Sequence, residues 1–183
     1  MKTVLWQGIA FPSLEYFSLQ EKEDYYIVAS KIIGSYQQKI YSASYRLIIN
    51  KQWKIEEFLI DSEVNMTKNI LTGKKTGINW EINHFDNPSF KGFHYIDISL
   101  TPFTNTLPIN NLQLKIGDSK EIDIIYIDLI NSDITPVRQR YTRTDLHEYL
   151  YENIVSDFTA YIQVDENGLI LNYPGLFEKI AGN

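Results

Sequence analysis

The chain has 183 residues, a formal net charge of −6 and no cysteine. That length suits one domain, residues 1–183, with a core that needs no staple, and the absence of thiols removes disulfide frameworks and thiolate zinc sites. The acidic balance argues against broad nucleic-acid binding, which requires a positive surface. Residues 1–10 lack the apolar core and cleavage site of a signal peptide, and no uncharged apolar run is long enough to span a bilayer. A cytoplasmic protein with no membrane span and no nucleic-acid partner is therefore expected.

Aromatic residues are abundant, with 13 Tyr, 9 Phe and 3 Trp. Many flank β-branched residues, which is the composition of sheet surfaces. Cross-strand packing explains most of them. Some can line a groove for a sugar or acyl chain, because a tyrosine offers an apolar face and a polar tip.

Short apolar runs follow one another along the chain, separated by turn residues. Ile27-Val28-Ala29 and Lys31-Ile32-Ile33-Gly34 come first. Residues 41–50 alternate, with Tyr41, Ala43, Tyr45, Leu47 and Ile49 on one face, so a strand with one buried face is predicted. Lys51-Gln52 reads as a tight turn, and Gly73 and Gly77 bracket a second turn at 74–76. Residues 83–92 look like a loop. Residues 122–130 are apolar on both faces, as in a covered strand. The pattern predicts a helix over 104–117, capped by Thr104 or Asn105, with Pro108 in its first turn and Gly117 as its stop. Residues 145–158 fit a helical stripe through Leu146, Tyr149, Leu150, Ile154, Val155 and Phe158, but Tyr149-Leu150-Tyr151 fits a strand equally well. Near the end, Asp165-Glu166-Asn167-Gly168 joins residues 161–164 to 169–171 as a hairpin.

Catalytic motifs are not visible. His84, His94 and His147 show no zinc-protease spacing, and Gly73-Lys74-Lys75-Thr76 lacks both the first glycine and the final hydroxyl of a phosphate loop. There is no dinucleotide fingerprint and no nucleophile elbow, and no cofactor is expected. One cluster is less ordinary. Arg138 and Arg140 point the same way if their segment is extended, and Gln139 and Tyr141 point the other. Two guanidinium groups on one face suit a phosphate, sulfate or carboxylate. A solvated strand face balanced by nearby carboxylates explains them as well.

The stretch Asp97-Ile98-Ser99-Leu100-Thr101-Pro102-Phe103-Thr104-Asn105-Thr106-Leu107-Pro108-Ile109 resembles the signature of the bacterial putative glycolipid-binding family. Gln139-Arg140-Tyr141-Thr142, Val164-Asp165-Glu166-Asn167-Gly168-Leu169-Ile170 and Tyr173-Pro174 resemble its downstream segments, and Trp6, Tyr45, Trp53, Gly77 and Trp80 fit upstream positions. Asn110-Asn111, Phe93 and Tyr95 depart from the pattern and remove charge near the signature. The resemblance implies a mainly β fold, a many-stranded antiparallel sheet rolled around a single helix (a spiral β-roll), with a distant likeness to lipoprotein-carrier folds. It also implies a binding module for a glycolipid or other amphipathic small molecule, an inference from fold likeness. The candidate ligand-binding residues are Asp97, Thr104, Asn105, Thr106, Arg138, Gln139, Arg140 and Tyr141. Asp97 can cap the turn at 104–106 or bind a ligand hydroxyl. Two alternatives remain: an enzyme acting on a sugar or lipid conjugate, and a structural protein that dimerises through a sheet edge or an aromatic patch.

Overall fold

The computed structural model describes residues 1–182. Its strands run in chain order as β1 (Lys2–Gly8), β2 (Ser13–Glu21), β3 (Tyr25–Tyr36), β4 (Lys39–Asn50), β5 (Ile55–Val64), β6 (Thr67–Thr76), β7 (Asn79–Ile82) and β8 (Phe85–Asp86). After a linking segment come β9 (Tyr95–Ile98), a 3-10 turn at Phe103–Asn105, α1 (Thr106–Leu112) and β10 (Ser119–Asp128). Then follow β11 (Asp133–Asp145), β12 (Glu148–Asn153), β13 (Phe158–Val164), β14 (Ile170–Tyr173) and β15 (Phe177–Gly182).

All 15 strands belong to one sheet, in the order β8-β7-β6-β5-β4-β3-β2-β1-β15-β14-β13-β12-β11-β10-β9. Two meanders are thus joined where β1 pairs with β15. Neighbours are antiparallel except β9 and β10, which pair in parallel and correct the purely antiparallel expectation. The sheet is mixed and curls without closing into a barrel. Residues 87–94 carry the chain from the β8 edge to the β9 edge, and the carbonyl of His94 accepts from the amide of Ile55 at 3.0 Å.

Two local devices bend the sheet. Ladder irregularities fall at Leu5/Trp6, Ile48/Ile49, Arg143/Asp145 and Gln163/Val164, and an irregular ladder lets a strand bend and twist more. Glycine sits where a ring needs the space. Gly34 pairs with Tyr41 and Gly73 with Phe58, and a Cβ at either glycine would overlap the partner's ring. Residues 73–76 therefore continue β6, and the expected turn moves to Gly77 and Ile78. The hairpin at 161–171 forms as expected. Within 145–158, residues 148–153 form strand β12 between turns at 146–147 and 154–157, and none is helical.

The helix is shorter than the pattern predicts. It ends at Leu112, because Gln113 turns left-handed at φ 48°, and Gly117 lies beyond it in a separate turn. Neither Thr104 nor Asn105 caps its amides. The side chain of Asn105 donates instead to the carbonyl of Pro102 at 3.1 Å. Residues 101–109 are all buried inside the roll, whereas Ile116 is exposed. The segment is pinned to both halves of the sheet. Asn111 donates to the carbonyl of Gln52 at 2.6 Å, Thr106 to the carbonyl of Gly168 at 2.8 Å, and Asn110 to that of Asn167 at 2.9 Å.

The inward faces form two clusters. The larger gathers Trp6, Phe17, Leu47, Ile60, Trp80, Ile96 and Phe103 with further aliphatics from β1 to β10. The indole of Trp6 reaches across to donate to the carbonyl of Ile170 at 2.8 Å, so its polar atom is satisfied in the interior. The smaller cluster lies under β11 to β15 and includes Tyr141, Tyr149, Tyr151, Tyr173 and Phe177.

Candidate functional site

The signature segment and the tyrosine-rich flank meet at a cleft of about 350 Å³. Asp97, Ile98, Ser99, Thr101 and Asn105 border it together with Tyr126, the register partner of Asp97 on β10, and Tyr151, Asn153, Phe158, Tyr173 and Phe177 line the rest. Phe11 and Leu176 complete its apolar rim. A groove of about 330 Å³ lies on the outward face of β4 to β7, beside Arg46, Leu59 and Lys74, and one of about 470 Å³ at the helix end, beside Arg143 and His147. The first follows alternate outward residues of the sheet. The cleft at Asp97 differs because inward-facing strand residues converge there with polar groups at its wall, the ordinary make-up of a small-molecule site.

Asp97 is held rigidly. Its Oδ1 accepts from the hydroxyl of Thr104 at 3.0 Å, and its Oδ2 accepts from the side-chain amide of Gln139 at 2.7 Å. Gln139 Oε1 in turn accepts from the hydroxyl of Tyr141 at 3.2 Å, and that hydroxyl also donates to Asn105 Oδ1 at 2.8 Å. Thr104 accepts from the amide of Ile98 at 3.3 Å. Sequence reasoning named all five of these residues, and they form one network behind the cleft wall. Burial pushes the Asp97 carboxyl above the usual carboxylate range, and the bonds from Gln139 and Thr104 oppose the shift. Burial also pushes up the phenols of Tyr126, to about 12, and of Tyr141, Tyr151 and Tyr173, and the charge of Asp97 adds to each shift.

The other candidates lie elsewhere. Thr106 binds the Gly168 carbonyl and pins the helix rather than facing the cleft. Arg138 and Arg140 do share a face, but it is the outer one. Arg138 pairs with Asp123 at 3.0 Å, and Arg140 pairs with Glu121 and Glu152. Their guanidinium groups are therefore engaged by carboxylates on neighbouring strands.

Sequence reasoning missed the aromatic wall. Tyr126, Tyr151, Phe158, Tyr173 and Phe177 come from five different strands, and only the pairing of β10 to β15 brings them together. It also missed Glu15, which lies behind Thr101 and is 2% exposed. Its Oε1 accepts from Ser30 at 2.6 Å, Tyr45 at 2.6 Å and Thr101 at 2.9 Å. Its Oε2 has no partner among the described residues. Burial pushes the Glu15 carboxyl up to about 7 against the pull of those three donors.

No group of three or more His, Asp or Glu side chains is placed to hold a metal ion among the described residues. No helix among them is long and apolar enough to cross a membrane.

Residues 3–179 match the family model described as Putative glycolipid-binding. The chain belongs to that family. It is also similar to the crystal structure of a DUF1089 family protein from Pseudomonas aeruginosa, with 33% identity, a TM-score of 0.82, and coverage of 91% of this chain and 92% of the other. No curated protein matches the chain. The family match spans β1 to β15, so the roll and the signature that borders the cleft both lie inside it.

Proposed function

We propose that the protein is a binding module that holds an amphipathic small molecule, such as a glycolipid, in the cleft at Asp97, without catalysis. The observation that carries this reading is the composition of the cleft wall. Asp97, Ser99, Asn153 and the tyrosine hydroxyls offer hydrogen bonds to a polar head, and Phe11, Phe158, Leu176 and Phe177 offer apolar surface to its tail. The family description supports the same ligand class. A non-catalytic role is supported by the shortage of paired acid and base groups. One carboxylate borders the cleft and no histidine does, while Glu15 is shut behind Thr101.

Native mass spectrometry of the purified chain, followed by lipid analysis of anything released, tests this reading. Ser156 is exposed and also lines the cleft, and the expected result is a co-purifying or titratable amphiphile that the Ser156→Trp variant no longer retains. A chain that binds no amphiphile in either form would remove the reading.

Self-association is a second reading with its own observation. Leu14 and Ile33 pair across β2 and β3 and are 46% and 65% exposed on the outer face, beside the exposed Tyr16. Light scattering of the wild type and a Leu14→Lys/Ile33→Lys variant distinguishes a dimer built on this patch from a monomer.

A further inference from the structure

The cleft holds a carboxyl that has no cationic partner. Asp97 is the one charged side chain among its lining residues, and both of its partners, Thr104 and Gln139, are neutral. Interior carboxylates ordinarily have a cationic partner, because desolvating an unpaired charge is costly. The nearby arginines do not supply one, since Arg138 and Arg140 are spent on Asp123, Glu121 and Glu152 at the outer face. An ionised carboxylate accepts about four hydrogen bonds. Asp97 receives two from the protein, so acceptor capacity remains on a carboxyl that lines the cleft.

The opposite wall is made of rings. Tyr151 lies 6.1 Å from Phe158 and 5.9 Å from Tyr173, and Tyr173 lies 6.3 Å from Phe177, measured between centroids. These pairs are inclined by 59°, 62° and 61°. Rings tilted in this way make a curved wall around a compact group rather than one flat platform. Their faces carry negative potential and attract cations, most strongly those with weak hydration. A buried carboxylate on one side and several rings on the other form the arrangement that recognises an ammonium centre.

We infer that the cleft selects a head group bearing an ammonium centre, either on an amino sugar or on a choline-type head, over a neutral or an anionic one. The inference rests on the reading of this cleft as a binding site and names the ligand class that the site takes. The ammonium sits between Asp97 and the ring wall, and the attached chain leaves along Phe11 and Leu176.

Calorimetric titration of the full chain with four octyl probes, each below its micellar concentration, tests it. The probes are octyl glucoside, octyl 2-amino-2-deoxyglucoside, octyltrimethylammonium and octyl sulfate. At least one ammonium probe is expected to bind about tenfold more tightly than octyl glucoside, with octyl sulfate weakest. Which ammonium probe is preferred tells the amino-sugar source from the choline-type source. Asp97→Asn is expected to weaken the ammonium probes more than octyl glucoside and so to erase the ammonium preference. Phe158→Leu, at the partly open rim, is expected to weaken the ammonium probes more than the glucoside. Equal or tighter binding of octyl glucoside or octyl sulfate by the wild type overturns the charge selectivity and leaves the cleft as a binding site. Failure of all four probes to bind overturns both.

Discussion

The two flanks of the roll close their interiors in different ways. Under β1 to β10, three of 29 buried core residues are tyrosines; under β11 to β15, four of nine are. The two buried carboxyls differ as well. Glu15 on the first flank is sealed, with three hydroxyl donors on one oxygen and none on the other. Asp97, where the flanks meet, has one neutral donor on each oxygen and borders the cleft. Burial raises both carboxyls, but the two differ in what can reach them. Aliphatic packing makes one flank a scaffold. Rings with hydroxyl tips leave the other able to meet a polar guest.

The largest expected effect lies in the scaffold flank. Phe17 is fully buried, 4.9 Å from Trp6 and 4.6 Å from Phe103. Phe17→Ala is expected to cost about 3–5 kcal/mol in denaturant unfolding, while Phe158→Leu at the cleft rim costs far less. Similar losses at both sites would erase the distinction between scaffold and site.

A smaller effect concerns the sealed carboxyl. Its folded-state pKa, about 7, lies above its unfolded value near 4.5, so the folded state holds the proton more tightly. The stabilising contribution is full below about pH 4.5 and is lost as pH rises through 7. Glu15→Gln removes that titration. The variant is expected to gain on the wild type by up to about 3 kcal/mol between pH 4.5 and pH 8. Parallel stability curves for the two proteins would show that Glu15 stays ionised throughout.

The smallest effect is at the outer face. Arg140 keeps 36% of its side-chain surface exposed beside Glu121 and Glu152. Arg140→Gln is expected to leave the denaturant midpoint nearly unchanged and amphiphile binding unaltered. Loss of binding would return the arginines to the site.

The fold was largely legible because the signature at 97–109 is local and continuous, as is the 165–168 turn. The strand at 148–153 was not, since the apolar spacing of 145–158 fits a helix as well and only pairing with β11 and β13 decides the matter. Tertiary pairing outweighs local pattern there. Three hairpins were also silent. Their two-residue turns at Gln37-Gln38, Asn65-Met66 and Asn83-His84 all take positive φ without the glycine that ordinarily marks such turns. Glu15 was hidden for another reason. β2 carries apolar residues on both faces, with Leu14 and Tyr16 outward and Phe17 and Leu19 inward, so alternation gives no sign that Glu15 points in. Of the cleft, the polar side was readable from the signature and the ring wall was not, because its members are scattered from 126 to 177.

The seam between β1 and β15 sets an order for assembly. Val4 pairs with Gly182 and Gly8 with Phe177, so a chain made from its amino end must keep one side of β1 unpaired until β15 has left the ribosome. Contacts of such long sequence separation form slowly. Tyr173 and Phe177, two rings of the cleft, arrive with that final stretch. The pocket is thus completed by the same event that joins the two meanders, and a chain with an empty seam has no finished place for a guest.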